Sequence, residues 1–107
     1  MTREEIISKL KNSKSILESY GIRKIGLFGS YAEQKQNEDS DIDILIEIHG
    51  KNMYKNYCRA KYYLEDLLGE KIDLLTINNL EEKYETLIAK KQKEKVKKEI
   101  LEKTIYV

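Results

Sequence analysis

The chain has 107 residues, with 20 Lys and Arg against 19 Asp and Glu, and 36% of its residues are charged. That length suits a single domain, 1–107, with one hydrophobic core and is too short for two. The near-zero charge balance excludes the global basic field of many nucleic-acid binders, so nucleic acid is not expected as a direct substrate.

The one cysteine, Cys58, excludes an intrachain disulfide, and no cysteine pattern has metal-ligand spacing. The N-terminus reads Met1-Thr2-Arg3-Glu4-Glu5, without the apolar stretch of a signal peptide. No apolar run approaches the roughly 20 residues of a membrane span, so a cytoplasmic protein with no membrane partner is expected. The absence of proline and the abundance of Lys, Glu, Ile and Tyr suit a thermophile rich in ion-pair networks, and suit an AT-rich genome equally.

In chain order, Thr2 and Glu5 have capping-box spacing, and Ile6, Leu10, Ser13, Leu17 and Tyr20 follow at intervals of three or four. This predicts one amphipathic helix ending near Gly21. Ile22 to Phe28 then reads as a short buried strand that runs into a tight turn at Gly29-Ser30. After the polar, irregular segment from Tyr31 to Ser40, Asp41 to Ile48 reads as a second, strongly apolar strand with two acids at its start.

His49-Gly50 closes that strand, and His49 is taken as a turn residue outside any site. Met53, Tyr57, Ala60, Leu64, Leu67 and Leu68 form a second helical stripe capped by Gly69, and a third strand follows at Lys71 to Thr76. From Leu80 onward, helical spacing at Leu80, Tyr84, Leu87 and Ile88, and again at Val96, Ile100 and Leu101, reads as one or two helices. The lysines from Lys90 to Lys98 read as a solvated helical face, with RNA or an acidic partner as the other option. The order α-β-α-β-α-β-α predicts an α/β (α+β) fold, a small sheet covered by helices.

Asp41 and Asp43 lie two apart on a predicted strand, so their side chains leave one face with about 7 Å between their backbones. Hard oxygen ligands at that spacing suit Mg²⁺, which keeps several waters and binds through one or two carboxylates together with substrate phosphates. Two such ions about 4 Å apart can clamp the attacking and the leaving oxygen of a phosphoryl displacement. Asp73, flanked by Ile72 and Leu74, supplies a third acid in the same relation to its own strand. Carboxylates set beside a core carry a heavy desolvation cost, which a metal ion compensates most simply.

Gly29-Ser30 offers what a triphosphate needs: close backbone approach, a hydroxyl donor, and N–H groups at a helix start. No Gly-x-x-x-x-Gly-Lys-Ser/Thr sequence occurs, so a P-loop NTPase is not supported. Cys58 reads as a small packing residue, and Tyr54, Tyr57, Tyr62 and Tyr63 read as core and rim rather than as a base-stacking platform.

Gly29-Ser30, ten residues, then Asp41-Ile42-Asp43 resembles the Gly-Ser-x10-Asp-x-Asp pattern of the polymerase-β-like nucleotidyltransferases. The flanking Gly26-Leu27-Phe28-Gly29-Ser30-Tyr31-Ala32 and Asp39-Ser40-Asp41-Ile42-Asp43-Ile44-Leu45-Ile46 resemble the minimal nucleotidyltransferase branch. Lys71 to Thr76 is similar to that branch's third-carboxylate strand, and Val96 to Val107 to its closing helix and tail, so the resemblance covers nearly the whole chain.

The resemblance implies a polymerase-β-like fold with a small mixed sheet. It implies that Asp41 and Asp43 bind Mg²⁺, that Asp73 completes the site and helps activate the attacking hydroxyl, and that Gly29 and Ser30 hold the triphosphate of ATP. Many members carry a basic residue after the small residue at position 32, whereas this chain has Glu33, with Lys35 two residues on.

Relatives of this kind commonly act as antitoxins that adenylylate a tyrosine on a helical HEPN-type toxin. The resemblance therefore implies AMP transfer to a protein hydroxyl within such a toxin–antitoxin pair. A small-molecule nucleotidyltransferase of the antibiotic-modifying type, and a non-catalytic protein that masks a toxin by contact, are the other readings. The protein-acceptor reading also rests on economy of chain, which predicts that no segment is left to form an acceptor pocket.

Overall fold

The computed structural model describes residues 1–77 and 100–107. Helix α1 (Arg3–Asn12) begins where the sequence places it: the Glu5 N–H donates to Thr2 Oγ1 at 3.2 Å, which satisfies one of the orphan donors of the first turn. Where periodicity predicts one continuous helix, the structure breaks it at Ser13 and resumes as α2 (Lys14–Ser19). Ser13 is buried, its hydroxyl accepts a hydrogen bond from the Tyr63 hydroxyl at 3.0 Å, and its own N–H reaches back to Leu10 O at 3.2 Å. A buried serine satisfied by a partner 50 residues away bends the helix without moving Ile6, Leu10 and Leu17 off the core.

Strand β1 (Ile22–Phe28) leads directly into the short helix α3 (Gly29–Ala32). Strand β2 (Ile42–Ile48) pairs with it antiparallel, setting Leu27 opposite Ile44 and Phe28 opposite Asp43. Helix α4 (Met53–Leu68) crosses over to strand β3 (Ile72–Thr76), which lies parallel to β2. Gly69 ends α4 in the left-handed conformation and donates its N–H to Glu65 O at 2.8 Å. A two-residue strand, β4 (Ile105–Tyr106), adds antiparallel to the free side of β1, so the mixed sheet runs β3-β2-β1-β4. The predicted third strand is present, and β4 is one strand more than the sequence suggested.

Alternation decides which side of the sheet is apolar. Ile25, Leu27, Ile42, Ile44, Ile46, Ile72 and Leu74 share the face that packs with Ile6, Leu10 and Leu17 and with Ala60, Leu64 and Leu68 of α4. Each fully buried Leu or Ile contributes about 1.5–3 kcal/mol relative to exposure, so this face dominates the stability of the domain. The opposite face carries Asp43, Glu47 and Asp73, with Leu45 buried among the same positions.

Of the last predicted helical stretch, Leu80, Tyr84, Leu87, Ile88 and Val96 lie outside the described residues. So does the lysine-rich run from Lys90 to Lys98. Ile100 and Leu101 fall in a helical turn at 100–103, and the Thr104 hydroxyl closes it by donating to Ile100 O.

Candidate active site

The site grows from one row of the sheet. Phe28 at the end of β1 pairs with Asp43, and Asp43 pairs with Asp73 across the parallel β2–β3 ladder. Side chains at paired positions leave the same face, and neighbouring strands stand about 4.8 Å apart, so the two carboxylates are set side by side. Like charges placed opposite one another on a sheet oppose folding, and a cation removes that penalty.

Gly29 follows Phe28 and turns the chain out of the row. Its φ is +73°, and a Cβ at this position would stand 2.0 Å from Asp43 Oδ2. The missing side chain thus serves twice: it permits the left-handed conformation, and it lets the Asp43 carboxylate lie against the start of α3. Ser30, half-buried, comes next, and its carbonyl accepts the Lys35 N–H at 2.8 Å. Gly29, Ser30, Asp43 and Asp73 are therefore neighbours at one end of the sheet.

Asp41 lies one residue before β2 and is exposed, so the strand begins later than the sequence suggested. A compact turn sets its position: the Asp39 N–H donates to Asn37 Oδ1 at 2.9 Å and the Asn37 N–H donates to Ser40 Oγ at 2.9 Å. The Ile42 N–H then bonds Lys71 O at 3.1 Å, tying the start of β2 to the start of β3. The turn role of Asn37 was not predicted, although an Asn side chain that bonds the backbone two residues on is a common turn former.

Among the described residues no three acids, histidines or cysteines gather closely enough to hold a metal ion by themselves. The donor set nevertheless suits magnesium bound together with a nucleotide, because that ion draws on one or two carboxylates and completes its shell with phosphate oxygens and water. Asp43 and Asp73 supply such a pair, and Asp41 stands at the rim.

Two further features were not legible in the sequence. The Tyr57 hydroxyl donates to Leu74 O at 2.5 Å, one residue past Asp73. Burial raises the Tyr57 phenol above the ordinary tyrosine value, and the Asp73 carboxylate adds to the shift. Between α4 and the outer edge of β3 runs a groove of about 500 Å³, bordered by Asp73. No local sequence pattern announces this groove, because its walls come from a helix and a strand that only folding brings together.

Outside the row, Glu33 meets Lys103 from the C-terminal segment at 3.4 Å. His49 pairs with Glu47 at 3.4 Å, on the strand it closes.

Residues 7–107 match the nucleotidyltransferase domain family. The chain belongs to that family. This nucleotidyltransferase is 40% identical over 107 residues to "Putative protein adenylyltransferase MJ1217" of Methanocaldococcus jannaschii, covering 99% of this chain and 98% of that one. It is 40% identical over 81 residues to "Protein adenylyltransferase MntA" of Thermococcus cleftensis, covering 75% and 82% of the two chains.

Among solved structures, its fold resembles a "putative minimal nucleotidyltransferase" at a TM-score of 0.74 and 24% identity, over 98% of this chain and 95% of that one. It also resembles a chain of a toxin–antitoxin complex solved with AMP-PNP, at a TM-score of 0.51 and 24% identity, over 73% of this chain and 59% of that one. The first of these likenesses, over nearly the whole of both chains, shows the fold, a mixed four-stranded sheet with helices that matches a minimal nucleotidyltransferase structure. No helix among the described residues is long and apolar enough to cross a membrane.

Proposed function

We propose that this nucleotidyltransferase moves AMP from ATP to a tyrosine hydroxyl of a partner protein, and that the partner is the HEPN-type toxin it neutralises in the cytoplasm. The observation that carries the chemistry is the Gly29 turn lying against Asp43, so that a backbone turn fit for phosphate adjoins the paired carboxylates Asp43 and Asp73. The protein acceptor is supported by the names of relatives about 40% identical to this chain. The toxin partner is supported by the toxin–antitoxin structure that shares the fold.

In this reading Asp41 and Asp43 hold Mg²⁺ with the triphosphate, and Asp73 completes the carboxylate set. When bound, the metal supplies Lewis-acid stabilisation of charge on the reacting phosphate. Gly29 and Ser30 orient the outer phosphates through backbone N–H groups and the serine hydroxyl. The acceptor oxygen forms its bond to the α-phosphorus as the bond to the α–β bridging oxygen breaks, and pyrophosphate leaves. The Asp73 carboxylate, at the acceptor side, takes the hydroxyl proton.

Incubation with ATP labelled in the α-phosphate, Mg²⁺ and the product of the neighbouring gene tests the proposal. The partner should gain the mass of one or more AMP groups, and Asp41→Ala with Asp43→Ala should abolish the gain. Transfer to a small molecule or an RNA end with the partner unlabelled would overturn the protein-acceptor reading.

A further inference from the structure

Transfer of a phosphoryl group requires the attacking and leaving oxygens to stand roughly in line across the phosphorus. The row of the sheet gives this line a direction. Phe28 stands at the β1 end, and Gly29, where the departing phosphates would be held, turns out of the row just after it; Asp43 is next on β2; Asp73 is last, on edge strand β3. Two strand spacings separate the ends, about 10 Å. With pyrophosphate leaving on the β1 side, an in-line acceptor oxygen comes from the β3 side, where Asp73 stands.

The groove of about 500 Å³ lies on that side, between the first two turns of α4 and β3, with Ile48 at the end of β2 on its inner wall and Asp73 on its border. We infer that this groove is the acceptor subsite and that it takes an aromatic hydroxyl side chain of a partner polypeptide, held by Met53 and Tyr54 against the wall made by Tyr57. This rests on the protein-acceptor reading above and adds the place and the residues that recognise the acceptor.

Three observations support the assignment. Asp73 is the one acidic or basic side chain among the described residues that line the groove, and the rest are apolar, aromatic or hydroxyl-bearing. Such a lining favours a neutral aromatic and disfavours a nucleic-acid end, whose phosphates would meet a carboxylate with no cation from the groove itself. Tyr57 is fixed in place, because its hydroxyl is already used by Leu74 O.

Tyr54 is 82% exposed and Met53 is 39% exposed at the opening, so both side chains are open to a partner. Aromatic and methionine side chains are those enriched where a partner's aromatic group must be gripped.

The test compares wild type, Met53→Ala, Tyr54→Ala and Tyr54→Phe with ATP, Mg²⁺ and the neighbouring gene's product as acceptor. The readouts are the acceptor KM, kcat and the ATP dissociation constant. Neither side chain belongs to the core, so both alanine variants should fold, and their circular dichroism should match wild type. The expected result is an acceptor KM raised about tenfold in Tyr54→Ala and less in Met53→Ala, with kcat and ATP affinity changed by no more than about twofold.

Tyr54→Phe should recover most of the acceptor affinity, since the ring and not its hydroxyl makes the contact. An unchanged acceptor KM in both alanine variants, with wild type labelling the partner, overturns the groove assignment alone. Weaker ATP binding at constant acceptor KM overturns it in favour of the nucleoside. A wild type that leaves the partner unlabelled overturns both this inference and the proposed function.

Discussion

Gly29 and Asp43 are in such close contact that a single added carbon would stand 2.0 Å from the Asp43 Oδ2 oxygen. Gly29→Ala must therefore displace the carboxylate or the turn, and it also places an L side chain at a φ of +73°. The left-handed conformation alone costs about 1–2 kcal/mol, and the clash adds to it. Thermal unfolding should show a lower Tm, and AMP transfer should fall by more than about a hundredfold even where the variant stays folded. Transfer at the wild-type rate by Gly29→Ala would mean that the Asp43 position is irrelevant to the chemistry.

Asp73→Asn separates stability from activity. Asp43 and Asp73 are cross-strand partners, so removing one charge relieves repulsion and should stabilise the metal-free protein by about 0.2–1 kcal/mol in denaturant titration. Transfer should nevertheless fall by orders of magnitude with ATP binding largely intact, because a group acting on the attacking hydroxyl matters chiefly in the transition state. Equal loss of binding and turnover would recast Asp73 as a ground-state ligand.

Ser30→Ala should weaken ATP binding more than AMP binding, since the hydroxyl faces the outer phosphates in the proposed arrangement. Competition assays with ATP, ADP and AMP give the comparison. Equal losses for all three nucleotides would place Ser30 away from the β and γ positions.

The alkaline side of the stability profile reports on Tyr57. Burial, reinforced by Asp73, raises this phenol above its ordinary value of 10.0. The folded state thus holds the proton after the unfolded chain has begun to lose it, so this contribution is complete below about pH 10 and is lost as pH rises from there through the folded value. Tyr106 is raised by burial in the same sense and contributes in the same window.

Tyr57→Phe should flatten part of the alkaline fall. It should also cost about 0.5–1.5 kcal/mol at neutral pH through loss of the bond to Leu74 O. An alkaline profile identical to wild type would show that Tyr57 ionises as freely in the folded protein as in the unfolded chain.

The sequence by itself determined the elements that rest on neighbours in the chain. β1 runs from Ile22 to Phe28 as the apolar run predicts, α4 ends at its Gly69 cap, and Gly29, Ser30, Asp43 and Asp73 sit at or next to the strand ends, while Asp41 falls one residue before β2. These features follow from periodicity, caps and backbone freedom, which act over a few residues.

Tertiary structure decided what depends on distant partners. The break at Ser13 needs Tyr63, and β4 is only two residues long and exists through its pairing with β1. The parallel register that sets Asp43 beside Asp73 depends on the crossover helix α4 packing against the apolar face. The groove beside Asp73 arises from the space between a helix and an edge strand. Packing between segments far apart in the chain fixes each of these, and a one-dimensional pattern carries no term for a neighbour that only folding supplies.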